Sequence, residues 1–328
     1  MIRWLWRPTD GVLHEVCRFS RLVQRDNSML HVERPLKPIM TSGVRRMFRS
    51  GLVSALRAGL SVSGGRVRRL LSDAIKDDPP IPLFHETADT PRGPIRFYCL
   101  GALPRWRVQT LFTKEPETIE WIDGFSEGDV FWDIGANIGI YALYAAAHRN
   151  IRVLAFEPAA GNYFLLNRNI EMNGLDGRVQ AYCVAFSDNK CIHALNMQTT
   201  ELGGALSSFG VSIDAFGKQF VPGFRQGMTG YGVDLFIDEF APPFPNHVKV
   251  DVDGIEDRII AGAAKTLADT RVRSLSIELD SARDSETGAV VRNIERGGLK
   301  LVGRRQSALA AHGEYRTIFN YQFRRASP

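Results

Sequence analysis

From residue 95 onward, hydrophobic residues form short runs that alternate with longer amphipathic stretches. Short apolar runs are typical of strands buried on both faces, and apolar residues at helical spacing predict helices packed on one face. The predicted strands cover residues 95–100, 129–134, 152–156, 179–186, 248–252, 272–279, 299–302 and 317–323. The predicted helices cover residues 116–125, 138–148, 159–173, 255–267 and 289–296. Strands separated by helices of about ten residues indicate βαβ units, and therefore an α/β fold with a doubly wound, mostly parallel sheet.

This alternation is interrupted at residues 192–232, which are rich in glycine and in aromatic residues. Long connections inside compact domains are usually functional or mobile. We expect this insertion to cross the top of the sheet as a substrate lid or acceptor pocket. The alternative is a self-packed loop with no role in binding.

The first 80 residues form a basic extension that differs from the rest of the chain. They contain 15 lysines and arginines against seven acids, which is a net charge of +8. Because the whole chain has a net charge of +5, residues 81–328 carry a net charge of −3. Aspartates and prolines at 77–80 mark the boundary between this extension, predicted to be partly helical, and a domain at 81–328. A net-acidic domain argues against a nucleic-acid substrate.

Residues 41–71 carry seven arginines and no acid, with apolar residues at helical spacing between them. This pattern is typical of a basic amphipathic helix on an anionic membrane surface, although a helix packed on the protein itself or a loosely ordered arm would look the same. No run approaches the ~18 apolar residues that cross a bilayer. The four cysteines lack metal-finger spacing. We therefore predict a cytoplasmic protein with reduced thiols, and residues 41–71 as a candidate contact with the inner membrane surface.

The strongest chemical signal is the segment 130–141, which ends a predicted strand and begins a helix. Gly135 and Gly139 are separated by three residues, which does not match the G-x-G-x-x-G spacing of dinucleotide-binding sites and disfavours a nicotinamide dehydrogenase. Asp133 precedes the first glycine; it would repel a pyrophosphate but suits the ammonium group of a methionine moiety. We expect the helix start to hold the methionine carboxylate, because its N–H groups lack partners within the helix.

Acids at the ends of the next two predicted strands extend this site. Glu157 ends the second strand, where a carboxylate can accept hydrogen bonds from both ribose hydroxyls. Together, Asp133 and Glu157 indicate a nucleoside-bearing cofactor. The third strand ends at Ser187 and Asp188, which we expect beside the base of that cofactor; the alternative is that they form only a turn.

A second group of charged residues lies on the fourth and fifth predicted strands. Lys249 and Asp251 alternate with valines, an expensive arrangement in a buried strand unless the two are paired or functional. Glu278 is an isolated acid among apolar residues of the fifth strand. A hydroxyl that attacks a sulfonium methyl group needs a base to take its proton. Asp251 is the first candidate for that base, with Lys249 or Glu278 orienting it.

Asp253 and Glu256 are candidates for substrate or metal contact, although Asp253 would also serve as a helix cap and Glu256 as a first-turn helix acid. Clustered acids can bind Mg²⁺ or Ca²⁺, so a metal remains the alternative to our prediction of no metal site. A second alternative is a cofactor-binding scaffold without catalysis, tethered through its basic arm. Such a scaffold would be expected to lack Asp251, Asp253 and Glu278, and all three are present.

Several of these motifs, in the same order, resemble those of the FkbM family of methyltransferases over residues 95–325. The motifs are Asp133-Ile-Gly-Ala-Asn137-Ile-Gly139, Phe156-Glu157-Pro158, Asn167-x-Asn169-x-x-x-Asn173, Ala185-x-Ser187-Asp188, Val248-Lys-Val-Asp251-Val-Asp253-Gly254-x-Glu256, Asn320-Tyr321-x-Phe323, and the segments at 114–118 and around 278. The resemblance implies a class I methyltransferase sheet of seven strands. It also implies S-adenosyl-L-methionine as the methyl donor, and O-methylation of a small molecule, sugar or glycan.

The resemblance also bears on individual residues. Asn137 joins Asp133, Gly135 and Gly139 among the predicted cofactor contacts. Glu115 is a candidate for contact with the cofactor or the acceptor, or else only a helix-start acid. The family usually has glutamate where this chain has Asp253, and the shorter acid has less reach toward a metal or a substrate.

Overall fold

The computed structural model describes residues 84–306 and 313–326. The predictions for residues 1–80, including the basic helix at 41–71, lie outside these residues. In the described part of the chain no helix is both long and apolar enough to cross a membrane. Cys99, Cys183 and Cys191 are free thiols.

Thirteen strands and eight α-helices occur in the described residues. The strands are β1 (His85–Thr90), β2 (Gly93–Tyr98), β3 (Val130–Ile134), β4 (Arg152–Phe156), β5 (Val179–Tyr182), β6 (Ala185–Ser187), β7 (Cys191–Met197), β8 (Ser207–Phe209), β9 (Phe224–Gly232), β10 (His247–Val250), β11 (Ser274–Asp280), β12 (Leu299–Arg305) and β13 (Ile318–Arg325). The helices are α1 (Ala102–Gln109), α2 (Pro116–Asp123), α3 (Ile140–Arg149), α4 (Ala160–Met172), α5 (Val233–Phe240), α6 (Glu256–Ala261), α7 (Ala264–Ala268) and α8 (Asp284–Arg296). A short 3-10 helix, Glu314–Thr317, precedes the last strand.

Seven of these strands form one sheet in the order β12-β13-β11-β10-β3-β4-β5. Of the seven, β13 alone runs against its neighbours, and the other adjacent pairs are parallel. The strand order reverses between β3 and β10, and ligands of doubly wound sheets bind at such a point beyond the carboxyl ends of the strands. The predicted α/β, mostly parallel sheet of seven strands is confirmed.

Alternate residues of the central strands pack against opposite faces of this sheet. On β3, Trp132 belongs to a hydrophobic cluster that includes Phe236 of α5 and Ile294 of α8. The preceding residue on β3, Phe131, points to the opposite face and belongs to a second cluster that includes Leu143 of α3. Both faces are therefore covered by helices, which explains why the strands appear in the sequence as continuous apolar runs.

The structure corrects two of the predicted elements. The predicted strand 179–186 is two strands, because pairing with β4 ends at Tyr182 and β6 leaves the large sheet to pair with β9. The predicted helix 255–267 is divided into α6 and α7 at Gly262. A Cβ atom at Gly262 would lie 2.2 Å from the carbonyl oxygen of Ser187, so the helix pair and β6 meet backbone to backbone.

The insertion at residues 192–232 contains three strands joined by loops, and it is not the continuous loop that was predicted. It supplies β7, β8 and β9 to a second sheet of order β6-β9-β7-β8, in which β7 pairs antiparallel with both β8 and β9. Residues 199–207 are here called the strap. They comprise most of the connection between β7 and β8 and the first residue of β8. The strap is the part of the insertion that bears on the site described below.

A buried polar network lies at the amino ends of β10 and β11, away from the carboxyl ends of the strands. One ring nitrogen of His247 is 2.8 Å from Oδ2 of Asp129, and the other is 2.7 Å from the hydroxyl of Ser274. The indole N–H of Trp121 donates to the same hydroxyl at 2.8 Å, and the ring of Phe125 stacks on the imidazole at 3.8 Å. Burial lowers the pKa of His247 to about 4, so the ring is neutral and the network fastens α2 to the sheet.

The contact at Gly262 gives a stability prediction. Gly262→Ala is expected to lower the free energy of unfolding by about 1–3 kcal/mol, because the added methyl group overlaps the backbone of β6. The matched control is Gly227→Ala on β9, where an added Cβ meets no atom within 4 Å. Thermal unfolding of both variants measures the difference, and equal melting temperatures would contradict the close packing of these segments.

Candidate active site

A cavity of about 660 Å³ opens at the carboxyl ends of β3, β4, β10 and β11. Its floor includes the acids predicted from the sequence at the strand ends, since Asp133, Glu157, Asp251, Asp253 and Glu278 all line it. Helix α1, the strap and the segment from the 3-10 helix into β13 form its walls. The fold thus brings together acids, from Asp133 to Glu278, that are separated by up to 145 positions in the chain.

Two glycines allow the turn after β3 to pack closely against its neighbours. Gly135 has φ of 86°, and a Cβ there would lie 1.9 Å from the carbonyl oxygen of Asp251, so the ends of β3 and β10 touch backbone to backbone. A Cβ on Gly139 would lie 2.5 Å and 2.7 Å from methyl groups of Leu166 and Leu143. Gly135 lines the cavity, whereas Gly139 does not and serves the packing of α3.

The N–H groups of this turn already have partners within the protein. Those of Gly135 and Ala136 donate to the carbonyl of Phe156, and that of Gly139 donates to Ala136. The N–H of Asn137 donates to Glu157, and that of Ile138 donates to the side chain of Asn137. The N–H groups of residues 135–139 are therefore used within the protein, and the expectation that the helix start holds a carboxylate stays a prediction.

Asp133 carries an acceptor without a donor. The side chain is buried, and its Oδ2 atom accepts no hydrogen bond from the described residues. Burial raises the pKa of Asp133 to about 6, although the ammonium group of Lys249 opposes this. An orphaned carboxylate oxygen at the edge of a cavity is a site for a cationic donor such as an amine.

Glu157 is held rigidly just after β4. Its two oxygens accept the N–H groups of Asn137 and Ala159, each at 2.8 Å. Burial raises the pKa of Glu157 to about 7 in spite of these bonds, which favour the ionised form. Each oxygen keeps a further lone pair, so this carboxylate can still accept two hydroxyl donors.

Other predicted contacts lie away from the cavity. Ser187 and Asp188 do not line it, since β6 has left the large sheet, and Ser187 donates to Asp188 at 3.2 Å. Val184, Ala185 and Phe186 lie there in their place. The expectation that Ser187 and Asp188 contact the base is thus not met by the geometry.

Two further predicted acids are used by the protein's own backbone. Asp253 lines the cavity, but its Oδ2 atom accepts the N–H groups of Leu206 at 2.6 Å and Ser207 at 3.1 Å. Glu256 lies outside the cavity, and it accepts the N–H of Gly254 at 3.0 Å. Burial raises the pKa of Asp253 to about 6 and that of Glu256 to about 8.

Two ion pairs involve acids that line the cavity. Lys249 is fully buried and its ammonium group bonds to Asp251, while Lys114 bonds to Glu115. Burial raises the pKa of Asp251, but Lys249 and Lys114 outweigh it and hold that pKa at about 2. Burial likewise raises the pKa of Glu115, and the same two lysines hold it below its ordinary value. Both acids are therefore ionised and bound.

Glu278 differs from its neighbours in having no such partner. No described residue forms a hydrogen bond or ion pair with its carboxyl group, although the charges of Lys114 and Lys249 act on it. Burial and the negative charge of Asp251 raise its pKa well above the ordinary value. Glu278 thus faces the cavity as a carboxyl group that is not committed to the protein.

The strap is tied to the cofactor side of the cavity. The side-chain amides of Asn137 and Asn162 both donate to the carbonyl of Gly204, at 2.8 Å and 2.9 Å. Asn162 also accepts the N–H of Gly203, and Arg107 donates to the carbonyl of Gly203. The sequence analysis missed Asn162 and Arg107, because nothing in a helical pattern shows which distant loop a helix will meet.

The described residues contain no group of three or more His, Cys, Asp and Glu side chains placed to hold a metal ion. The acids of the cavity are instead bonded to lysines or backbone N–H groups, or stand alone.

The fold and the cavity define a class I, Rossmann-like methyltransferase: the seven-stranded sheet with one antiparallel strand, an acid before the glycine turn and an acid after the second strand. The chain belongs to the FkbM family, because the model of the methyltransferase FkbM domain matches residues 133–324, more than half of its length. Both expectations from the sequence are confirmed.

The chain is also similar to individual proteins. Hexuronic acid methyltransferase AglP of Haloferax volcanii is 25% identical over 162 residues, which cover 49% of this chain and 61% of AglP. The chain therefore spans less than two thirds of the length of this curated relative.

Among solved structures, the METTL16 methyltransferase domain is 14% identical to this chain, with a TM-score of 0.41. The match covers 70% of this chain and 71% of the METTL16 chain. Precorrin-6y C5,15-methyltransferase from Geobacter metallireducens is 13% identical and covers 66% and 92%, with a TM-score of 0.38. Pyrococcus horikoshii TYW2 in complex with MeSAdo is 9% identical and covers 73% and 70%, with a TM-score of 0.40. At these identities the likeness concerns the fold alone.

Family membership makes S-adenosylmethionine the cofactor of this domain. The residues present fit it: Oδ2 of Asp133 is an unpaired acceptor for an ammonium group, and Gly135 leaves space that a Cβ could not occupy. Glu157 offers lone pairs for a diol. When bound, this cofactor supplies a methyl group already activated by a sulfonium.

Glu157 gives a direct test of the cofactor side. Glu157→Gln is expected to weaken binding of S-adenosylhomocysteine about 10- to 100-fold, because an ionised acceptor of two hydroxyl groups is lost. The matched control is Glu171→Gln on the exposed surface of α4. Calorimetric titration measures both, and unchanged affinity in Glu157→Gln would contradict the role given to this carboxylate.

Proposed function

We propose that this protein is an S-adenosylmethionine-dependent O-methyltransferase that acts on a hydroxyl group of a sugar, a glycan or another small molecule. The observation that carries the proposal is the single cavity that joins the cofactor acids, Asp133 and Glu157, to the uncommitted carboxyl group of Glu278. A cofactor-binding scaffold would need no such carboxyl group beside the cofactor.

A carbohydrate acceptor is supported by aromatic residues that line the cavity. Trp106 on α1 and Tyr315 and Phe319 near the start of β13 supply aromatic surface, on which sugar rings can stack. Thr110 and Asn320 lie among them and can bond to hydroxyl groups. The similarity to a hexuronic acid methyltransferase points the same way.

Glu278 is the best candidate for the base. Asp251, the first choice from the sequence, is a weak base because its pKa is held at about 2 and its charge is bound to Lys249. Glu278 has a raised pKa and open lone pairs, so it can take the proton of the acceptor hydroxyl while the new carbon–oxygen bond forms and the carbon–sulfur bond breaks. Asp251 and Lys249 then fix the end of β10 beside the reacting groups.

The proposal extends to the domain organisation, the kind of acceptor and the location of the protein. We infer a basic extension at residues 1–80 and a catalytic domain at residues 81–328. The net-acidic charge of the domain favours a small acceptor over a nucleic acid. A cytoplasmic location, with residues 41–71 touching the inner membrane surface, stays a prediction.

The base is tested by Glu278→Gln. We expect kcat to fall by about 10²–10⁴-fold, with the affinity for S-adenosylhomocysteine changed less than about twofold, because the amide cannot accept a proton. The readout is release of S-adenosylhomocysteine with hydroxylated sugars and uronic acids as acceptors, and Glu120→Gln on the exposed face of α2 is the control.

The pH profile separates the base from its neighbours. A base with a raised pKa is protonated at low pH, so kcat of the native enzyme is expected to rise with pH through the pKa of Glu278 and then level off. Full activity of Glu278→Gln, or a native profile that falls with rising pH, would argue against this assignment. Failure to turn over any hydroxylated acceptor while binding the cofactor would favour the scaffold.

A further inference from the structure

Arg107 lies on the wall of the cavity with most of its donors unused. It belongs to α1, and its Nε–H donates to the carbonyl of Gly203 in the strap at 2.6 Å. Its two terminal amino groups make no hydrogen bond or ion pair within the described residues. A guanidinium group offers five N–H donors in a planar fork, so four of them remain available to a ligand.

The surroundings of Arg107 are acidic but do not neutralise it. Burial is the main influence on the pKa of Glu157, Asp251 and Asp253 and raises each of them, and the charge of Arg107 acts on all three in the opposite direction. The guanidinium group therefore stands near these carboxyl groups without bonding to any of them. Such an arrangement leaves a cation facing the space that the cofactor must enter.

Two lysines near the acids, Lys114, which lines the cavity, and Lys249, which does not, are paired with carboxylates of the protein. Lys114 is bonded to Glu115 and Lys249 to Asp251, and the N–H groups at residues 135–139 donate within the protein. The cofactor nevertheless brings a carboxylate on its amino-acid end. Among the described residues that line the cavity, Arg107 is the cation that is not paired with a carboxylate of the protein, since Lys114 is bonded to Glu115.

We propose that Arg107 binds the methionine carboxylate of the cofactor through its terminal amino groups, while Asp133 accepts from the ammonium group. A planar fork matches a carboxylate with two parallel hydrogen bonds. Because the same side chain holds Gly203, the amino-acid end of the cofactor and the strap are fastened by one residue. The inference rests on the cofactor assignment and adds to it a binding residue outside the glycine turn.

The test compares two ligands that differ only in the amino-acid part. S-adenosylhomocysteine carries the carboxylate, whereas 5′-methylthioadenosine keeps the adenosine and the thioether and lacks it. Arg107→Gln is expected to weaken binding of S-adenosylhomocysteine about 10- to 100-fold and to change that of methylthioadenosine less than about twofold. Arg105→Gln is the matched control, since Arg105 lies on the same helix and pairs with Glu86.

The outcomes that would overturn the proposal are distinct. Equal weakening of both ligands would show that Arg107 acts only by holding the strap, and no weakening would place the carboxylate elsewhere. Arg107→Lys, which keeps the charge but not the fork, is expected to recover part of the lost affinity. Thermal unfolding confirms that the variants are folded. If the native protein bound neither ligand, the cofactor assignment itself would fall, and that result is visible before any variant is made.

Discussion

The contact between Gly135 and the carbonyl of Asp251 sets the geometry of the whole cavity. The two strand ends approach so closely that no Cβ fits between them. The turn that receives the cofactor and the strand that carries Asp251 therefore cannot move independently. Asp133 and Asp251 are held on adjacent strands, and Glu278 follows on the next one. A cofactor lying against the end of β3 is thereby placed beside Glu278 on β11.

This arrangement concentrates negative charge, and the protein handles it in three ways. Asp251 and Glu115 are paired with lysines, and Asp253 bonds to backbone N–H groups of the strap. Asp133, Glu157 and Glu278 have raised pKa values and keep lone pairs without a donor from the described residues. The open lone pairs of Asp133, Glu157 and Glu278 can accept donors from a ligand, and such donors favour the ionised form of these carboxyl groups. A ligand with an ammonium, a sulfonium and a ribose diol supplies partners for such groups, which links the cost of burying them to binding.

The sequence predicted the parts of this design that depend on strand periodicity. Acids at the ends of apolar runs, such as Glu157 and Asp251, were placed in one cleft because parallel strands end at one edge. It could not predict that β6 would leave the sheet with Ser187, since a break of two residues between β5 and β6 leaves no pattern in the sequence. The partners of Asp253 and Arg107 lie 46 or 47 and 96 residues away in the strap. Such contacts depend on tertiary packing, and no local signal specifies them.

Proton release on cofactor binding tests the central claim that the raised-pKa acids of the cavity are the cofactor's partners. S-adenosylhomocysteine would be titrated at pH 6.5 in two buffers with different ionisation enthalpies. Glu157, with a pKa of about 7, and Asp133, with a pKa of about 6, are partly protonated there, and donors from the ligand favour their ionised forms. The account predicts release of up to about one proton per ligand bound. A binding enthalpy that is the same in both buffers, or proton uptake, would contradict it.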